Sequence, residues 1–97
     1  MLQKNNPENK FFFVYVLLSL RDNKLYIGST ENLEQRYYQH QHGSNASTRS
    51  RRPLKLIYFE GHLSEADAKR RESYFKTTKG KVTLKNVLKK SFLESFR

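Results

Sequence analysis

The chain has 97 residues and a net charge of +10, from 19 Lys and Arg against 9 Asp and Glu. That length means one domain, which buries about 65% of its unfolded surface around a single modest core. There is no cysteine, which excludes disulfide staples and thiolate zinc sites, and no stretch approaches the roughly 20 apolar residues of a membrane-spanning helix.

The polar start, residues 1–10, is not a signal peptide and reads as a flexible lead, so a cytoplasmic protein is expected. Seven Phe and six Tyr supply much of the core volume. The charge is uneven. Residues 1–40 carry five Lys and Arg against four acids, whereas residues 41–97 carry 14 against five. A one-sided basic domain attracts a polyanion, most often nucleic acid.

Residues 11–20 are apolar, aromatic and branched, the pattern of a central strand. Asp22 and Asn23 supply turn chemistry, and residues 24–29 return as a second strand of a hairpin. If the loop holds an even number of residues, odd positions of the first strand share a face with even positions of the second. Tyr15 and Tyr26 then point to the same side of the sheet. Ser29 or Thr30 caps a helix over about residues 31–42, with Glu31 and Glu34 in its first turns. On it Leu33, Arg36, Tyr37 and His40 form one stripe at i, i+3, i+4, i+7, which turns an arginine and a histidine toward the sheet.

Residues 43–53 read as a flexible basic loop, and residues 54–61 as a third strand. A second helix opens at Ser64 with a variant capping box, Asp67 replacing Glu or Gln, and runs to about Lys76. Its buried stripe is Ala68, Arg71, Glu72 and Phe75. Gly80 is expected to break the chain before a third helix near residues 82–92, and residues 93–97 read as a short tail.

Glu72 is the sharpest anomaly. A carboxylate on a helix face shared with Ala68 and Phe75 must be paired, protonated or metal-bound, unless the buried stripe is narrow enough to leave it exposed. Arg36 suits a phosphate through its planar fork, or simply pairs with Glu72. His40 suits proton transfer, or is a satisfied core histidine. Tyr15 and Tyr26 are by default core residues with one hydroxyl bond each. Their joint occurrence on a basic domain points to phosphodiester chemistry. That chemistry needs a positioner for water, positive charge on the transition state and neutralisation of the leaving oxygen.

Tyr26-Ile27-Gly28, with Tyr15 eleven residues before it and Arg36 ten after Tyr26, resembles the signature of the GIY-YIG nuclease superfamily. Residues 52–60, 68–72 and 74–76 resemble its small single-domain members, and the likeness covers about residues 11–90. These are similar to the N-terminal nuclease domain of the bacterial excision-repair nuclease, which implies a DNA-repair setting. The resemblance implies an α+β fold, a three-stranded antiparallel sheet flanked by about three helices, over residues 11–92. It also implies a metal-dependent DNA endonuclease. In that reading Tyr15 is the general base or its partner and Tyr26 the second active-site tyrosine. Arg36 binds phosphate, His40 assists the tyrosine base, and Glu72 is the sole ligand of Mg²⁺ (or Mn²⁺). Gly28 keeps the backbone slim beneath the site, and Asn86 matches a late asparagine of the family. Arg49, Arg51, Arg52, Lys76, Lys79 and Lys81 are expected to hold the DNA backbone.

Two positions depart from the family pattern. Val14 replaces the glycine of the first triplet, and Ser29 stands where the repair nuclease has a lysine, a loss for which His40 or Lys24 could compensate. Two other readings stand beside the enzyme: a non-catalytic basic nucleic-acid-binding module, and a catalytic domain whose specificity comes from a protein partner.

Overall fold

The computed structural model describes residues 10–95. Most of the expected N-terminal lead, residues 1–9, and the last two residues of the expected tail lie outside the described residues. The order is β1 (Phe12–Ser19), β2 (Leu25–Thr30), α1 (Leu33–Gln41), β3 (Leu54–His62), α2 (Glu65–Phe75), α3 (Thr78–Val87) and α4 (Lys89–Glu94), with a short 3₁₀ turn at Arg49–Arg51 between α1 and β3. The three strands form one antiparallel sheet in the order β2-β1-β3, in agreement with the three apolar runs of the sequence.

β1 is central because it is apolar on both faces. Its even side, Val14 and Val16, packs with Ile27, Ala68, Phe75, Leu84 and Leu88. Its odd side, Phe13, Tyr15 and Leu17, packs with Leu33 and Leu54. Helix α1 therefore covers one face of the sheet and α2 to α4 cover the other. A bulge in β3 opposite Val16 and Leu17 leaves Ile57 between the paired residues Leu56 and Tyr58. The extra residue switches strand parity, so Leu56 packs on the α1 face while Ile57 and Tyr58 pack on the α2 face.

The helix starts carry their own signals. The cap of α1 is Asn32, whose side chain accepts from Gln35 N at 3.1 Å, rather than Ser29 or Thr30, which lie in β2. Ser64 caps α2 through Asp67 N, as its variant capping box implies. Gly80 does not break the chain. It sits buried in the first turn of α3, where Thr77 is the cap and accepts from Gly80 N at 3.0 Å. A Cβ at Gly80 would lie 1.9 Å from the Tyr74 carbonyl oxygen. This glycine therefore permits a close crossing of α2 and α3, which its composition signal does not distinguish from a breaker. The expected third helix is two helices, α3 and α4, and Leu93 and Glu94 belong to α4 rather than to a tail.

The basic loop is not free. Ser19 Oγ donates to Arg51 O at 2.6 Å, Leu20 N donates to Pro53 O at 2.9 Å, and Arg51 Nε pairs with Asp22 at 2.9 Å. Arg49 Nε and Arg52 Nε bond to Gly43 O and Arg49 O within the loop. Side-chain and backbone partners on the β1–β2 turn thus hold a segment whose composition reads as flexible. At that turn Asn23 adopts a left-handed φ of 61°, which asparagine tolerates.

Candidate active site

The β1–β2 register pairs Tyr15 with Gly28 and Leu17 with Tyr26, so both tyrosines face α1. Their ring centroids are 6.4 Å apart. The last turn of α1 brings His40 against both, at 5.7 Å from the Tyr15 ring and 5.1 Å from the Tyr26 ring. Tyr15 Oη and His40 Nε2 are 2.9 Å apart, and the other ring nitrogen, Nδ1, is 2.7 Å from Thr48 Oγ1. Tyr15, His40 and Thr48 are all fully buried.

Gly28 makes this arrangement possible. A Cβ at that position would sit 2.5 Å from Tyr15 Oη and 2.6 Å from its Cζ, so the expectation of a slim backbone beneath the tyrosine has a direct steric basis.

Burial, reinforced by the neighbouring Tyr26 phenol and opposed by the Arg36 guanidinium, pushes the Tyr15 hydroxyl up to about 12. Burial, with the positive charge of Arg36, holds His40 below its ordinary value. Both groups are therefore neutral near pH 7.

Glu72 lies across the sheet, on α2. Its carboxylate accepts from Ser29 Oγ at 2.7 Å and pairs with Lys76 at 2.9 Å, one helical turn along. Lys69 donates to the same Ser29 hydroxyl at 3.1 Å. Burial would raise the Glu72 pKa, but the Ser29 hydroxyl and then the Lys76 and Lys69 ammonium groups outweigh it, leaving the carboxyl below its ordinary value. Glu72 is thus ionised and paired, with its side chain only 16% exposed. Its stripe neighbour Arg71 turns the other way, to Glu60 on β3 at 3.0 Å, with Tyr58 and His62 on the same carboxylate. Arg36 lies beside Tyr15 rather than on Glu72.

A cavity of about 310 Å³ opens at this end of β2, lined in part by Ser29, Asn32, Gln35, Arg36 and Lys69. A second, of about 490 Å³, lies at the β1–β2 turn and is lined by Asp22, Lys24, Arg51, Lys81 and Lys85 among others. Lys24 therefore stands at the opposite end of β2 from Ser29, and the ammonium beside Ser29 is that of Lys69. Arg49, Arg52, Lys79, Lys81 and Asn86 are exposed, as is Lys76 outside its pair with Glu72.

Sequence reasoning passes over Thr48, Lys69 and the hydroxyl role of Ser29. Thr48 sits in a Ser/Thr/Asn stretch with nothing to distinguish it. Lys69 has a readable signal, since it lies one helical turn before Glu72. Among the described residues no group of three or more His, Cys, Asp or Glu side chains comes together, and no described helix is long and apolar enough to cross a membrane.

A three-stranded antiparallel sheet with one helix on the tyrosine face and three behind it is an α+β fold. The GIY-YIG catalytic domain model matches residues 11–86. The chain therefore belongs to the GIY-YIG family, whose catalytic domain implies endonuclease activity and a nucleic-acid substrate. It is 40% identical over 83 residues to a UPF0213 protein of Clostridium perfringens, covering 84% of this chain and 88% of that one. It is 40% identical over 76 residues to a UPF0213 protein of Staphylococcus haemolyticus, covering 77% and 92%. A UPF0213 protein of Pediococcus acidilactici is 43% identical over 82 residues, covering 81% and 83%. No solved structure matches the chain.

Proposed function

We propose that this protein is a divalent-metal-dependent DNA endonuclease in which Tyr15, backed by His40, takes the proton of the attacking water. The observation that carries the reading is the buried hydrogen bond between Tyr15 Oη and His40 Nε2, with the Tyr26 ring against the same imidazole. A phenol held near 12 is a weak base alone. It can accept a proton from water only as its own proton passes to a partner, and the neutral imidazole is that partner. Tyr26 closes the other side of the histidine and orients the water.

Arg36, in the lining of the 310 Å³ cavity, presents its fork to the non-bridging phosphate oxygens, where negative charge builds in the transition state. Glu72 would hold Mg²⁺ (or Mn²⁺). An ionised, partly exposed carboxylate fits an ion that keeps most of its own waters and takes few protein ligands. When bound, the ion supplies charge neutralisation at the leaving 3′-oxygen. Lys76 lies on the carboxylate in the free protein, and its exposed stem lets the ammonium move to a substrate phosphate. Arg49, Arg51, Arg52, Lys79, Lys81 and Asn86 line the backbone path and contribute affinity without sequence readout. Gly28 acts through Tyr15. We place the enzyme in the cytoplasm, in DNA repair, with any sequence or structure specificity supplied by a protein partner.

The test is a panel of labelled linear, single-stranded and branched DNAs incubated with Mg²⁺, with Mn²⁺ and with chelator. Metal-dependent cleavage by the wild type is expected. Glu72→Gln should abolish it while DNA binding persists. Cleavage by Glu72→Gln at the wild-type rate would remove the metal assignment, and salt-sensitive binding with no cleavage in any condition would favour a non-catalytic binding module.

A further inference from the structure

Thr48 belongs to the loop between α1 and β3, yet it is as buried as any residue of the core. Its backbone N donates to Asn45 O at 3.2 Å and its carbonyl accepts from Arg51 N at 2.9 Å, so the turn that carries it is fixed at both ends. Its Oγ1 is 2.7 Å from His40 Nδ1. With Tyr15 Oη 2.9 Å from Nε2, both ring nitrogens of a fully buried histidine are engaged by hydroxyls.

A neutral imidazole has one N–H, so the chain of hydrogen bonds can run in either direction. Running from Thr48 inward, the threonine donates to Nδ1 and Nε2–H donates to Tyr15, which leaves the tyrosine proton in need of another acceptor. Running from Tyr15 outward, the phenol donates to Nε2 and Nδ1–H donates to Thr48. The other polar neighbours of Tyr15 are the Arg36 guanidinium, which carries donors only, and the Tyr26 phenol, whose oxygen can also accept. The outward direction leaves the Thr48 hydroxyl proton to a further acceptor in the same way, so the choice between the two follows from the proton transfer proposed above, which needs Nε2 free to accept.

We propose that Thr48 is a positioning residue whose Oγ1 accepts the Nδ1–H of His40, fixing the tautomer in which Nε2 is free to receive the Tyr15 proton. The direction of the chain rests on the nuclease reading above, whereas the tautomer can be measured independently of cleavage. In the proton-transfer step the water O–H bond breaks and its electron pair forms the new P–O bond. The water proton goes to Tyr15 Oη, and the Tyr15 proton goes to His40 Nε2. The bond from phosphorus to the leaving 3′-oxygen breaks with its electron pair on that oxygen, which takes a proton from solvent. The imidazolium keeps its Nδ1–H on Thr48 until Nε2 returns its proton.

The experiment is side-chain ¹⁵N NMR of the imidazole nitrogens, with the His40 signals assigned by their loss in His40→Gln. The wild type should show a pyrrole-type Nδ1 and a pyridine-type Nε2. Thr48→Val keeps the shape and removes the acceptor. It should convert His40 largely to the Nε2–H tautomer and lower kcat by about tenfold or more with DNA affinity unchanged, by analogy with the loss of one positioned proton-transfer group. Thr48→Ser should restore both. A wild-type His40 protonated at Nε2, or a Thr48→Val variant that keeps the Nδ1–H tautomer, would overturn the proposal. If Thr48→Val does not fold, the wild-type and Thr48→Ser spectra still decide it. The expected tautomer in a wild type that cleaves no DNA would support the positioning role and overturn the nuclease reading.

Discussion

Ser29 Oγ donates to Glu72 Oε1 at 2.7 Å, joining the edge strand that carries Tyr26 and Gly28 to the helix behind the sheet. The same hydroxyl accepts from Lys69 at 3.1 Å, so one serine links a lysine to the candidate metal-binding carboxylate. Ser29→Ala removes a hydrogen bond that favours the ionised carboxyl while leaving the burial that opposes it. The expected result is an upward shift of the Glu72 pKa toward or past its ordinary value, read by carboxyl ¹³C NMR, and a stability loss of about 1.5–3 kcal/mol for a bond to a charged group. An unchanged Glu72 titration would show that the Lys76 and Lys69 ammonium groups set it without Ser29.

The contact between Gly28 and Tyr15 makes a sharper steric prediction. Tyr15 is 1% exposed and lies against β2, so it has little room to yield to a Cβ only 2.5 Å from its hydroxyl. Gly28→Ala should cost about 1–3 kcal/mol by overpacking, measured by urea denaturation. It should also pull Tyr15 Oη off His40, detected as a change in the His40 ring signals. A variant as stable as wild type with unchanged His40 signals would contradict this packing.

His40 also ties stability to pH. Its folded pKa lies below the ordinary 6.5 because burial, and then Arg36, disfavour the imidazolium. The unfolded chain therefore binds this proton more readily, and the stability gained from keeping His40 neutral is fully present above about pH 6.5 and lost as pH falls below it. The urea midpoint should drop between about pH 7.5 and about pH 5.5, and it should drop less in His40→Gln. Glu60 and Glu72, both held below the ordinary carboxylate value of 4.5, contribute their own losses only at lower pH. Equal slopes in the two proteins would remove His40 as the cause.

Salt dependence tests the basic surface. Lys79 and Lys81 project from α3 and are exposed, with Lys81 on the 490 Å³ cavity at the β1–β2 turn. If each neutralises one DNA phosphate, Lys79→Ala and Lys81→Ala should each reduce the slope of log affinity against log salt by about 0.9. Titrations across a salt series would measure this, and an unchanged slope would place the DNA path elsewhere.

Much of this arrangement is legible in the order of residues along the chain. The 3.6-residue period of α1 is enough to turn Leu33, Arg36, Tyr37 and His40 toward the sheet. A loop of even length would put Tyr15 and Tyr26 on one face, and the register, whose last pair is Leu18 with Leu25, meets that condition. The same kind of reasoning does not separate Arg71 from Glu72, which share a buried stripe on α2. Their fates diverge because α2 lies over the central strand: Arg71 leans to β3 and meets Glu60, while Glu72 leans to β2 and meets Ser29. Loop order is also hidden, since the partners that hold Arg51 and Thr48 are 29 and 8 residues away in sequence.

The sequence by itself determined the family, the sheet and the set of polar groups on the tyrosine face, since periodicity and local turn chemistry act over a few residues. Tertiary structure alone decided which groups bond. It set Ser29 between Lys69 and Glu72, buried Thr48 behind His40, and made Gly80 a crossing point of two helices rather than a break. Each of those outcomes depends on how separate elements pack, and packing distances are fixed only when the whole core closes.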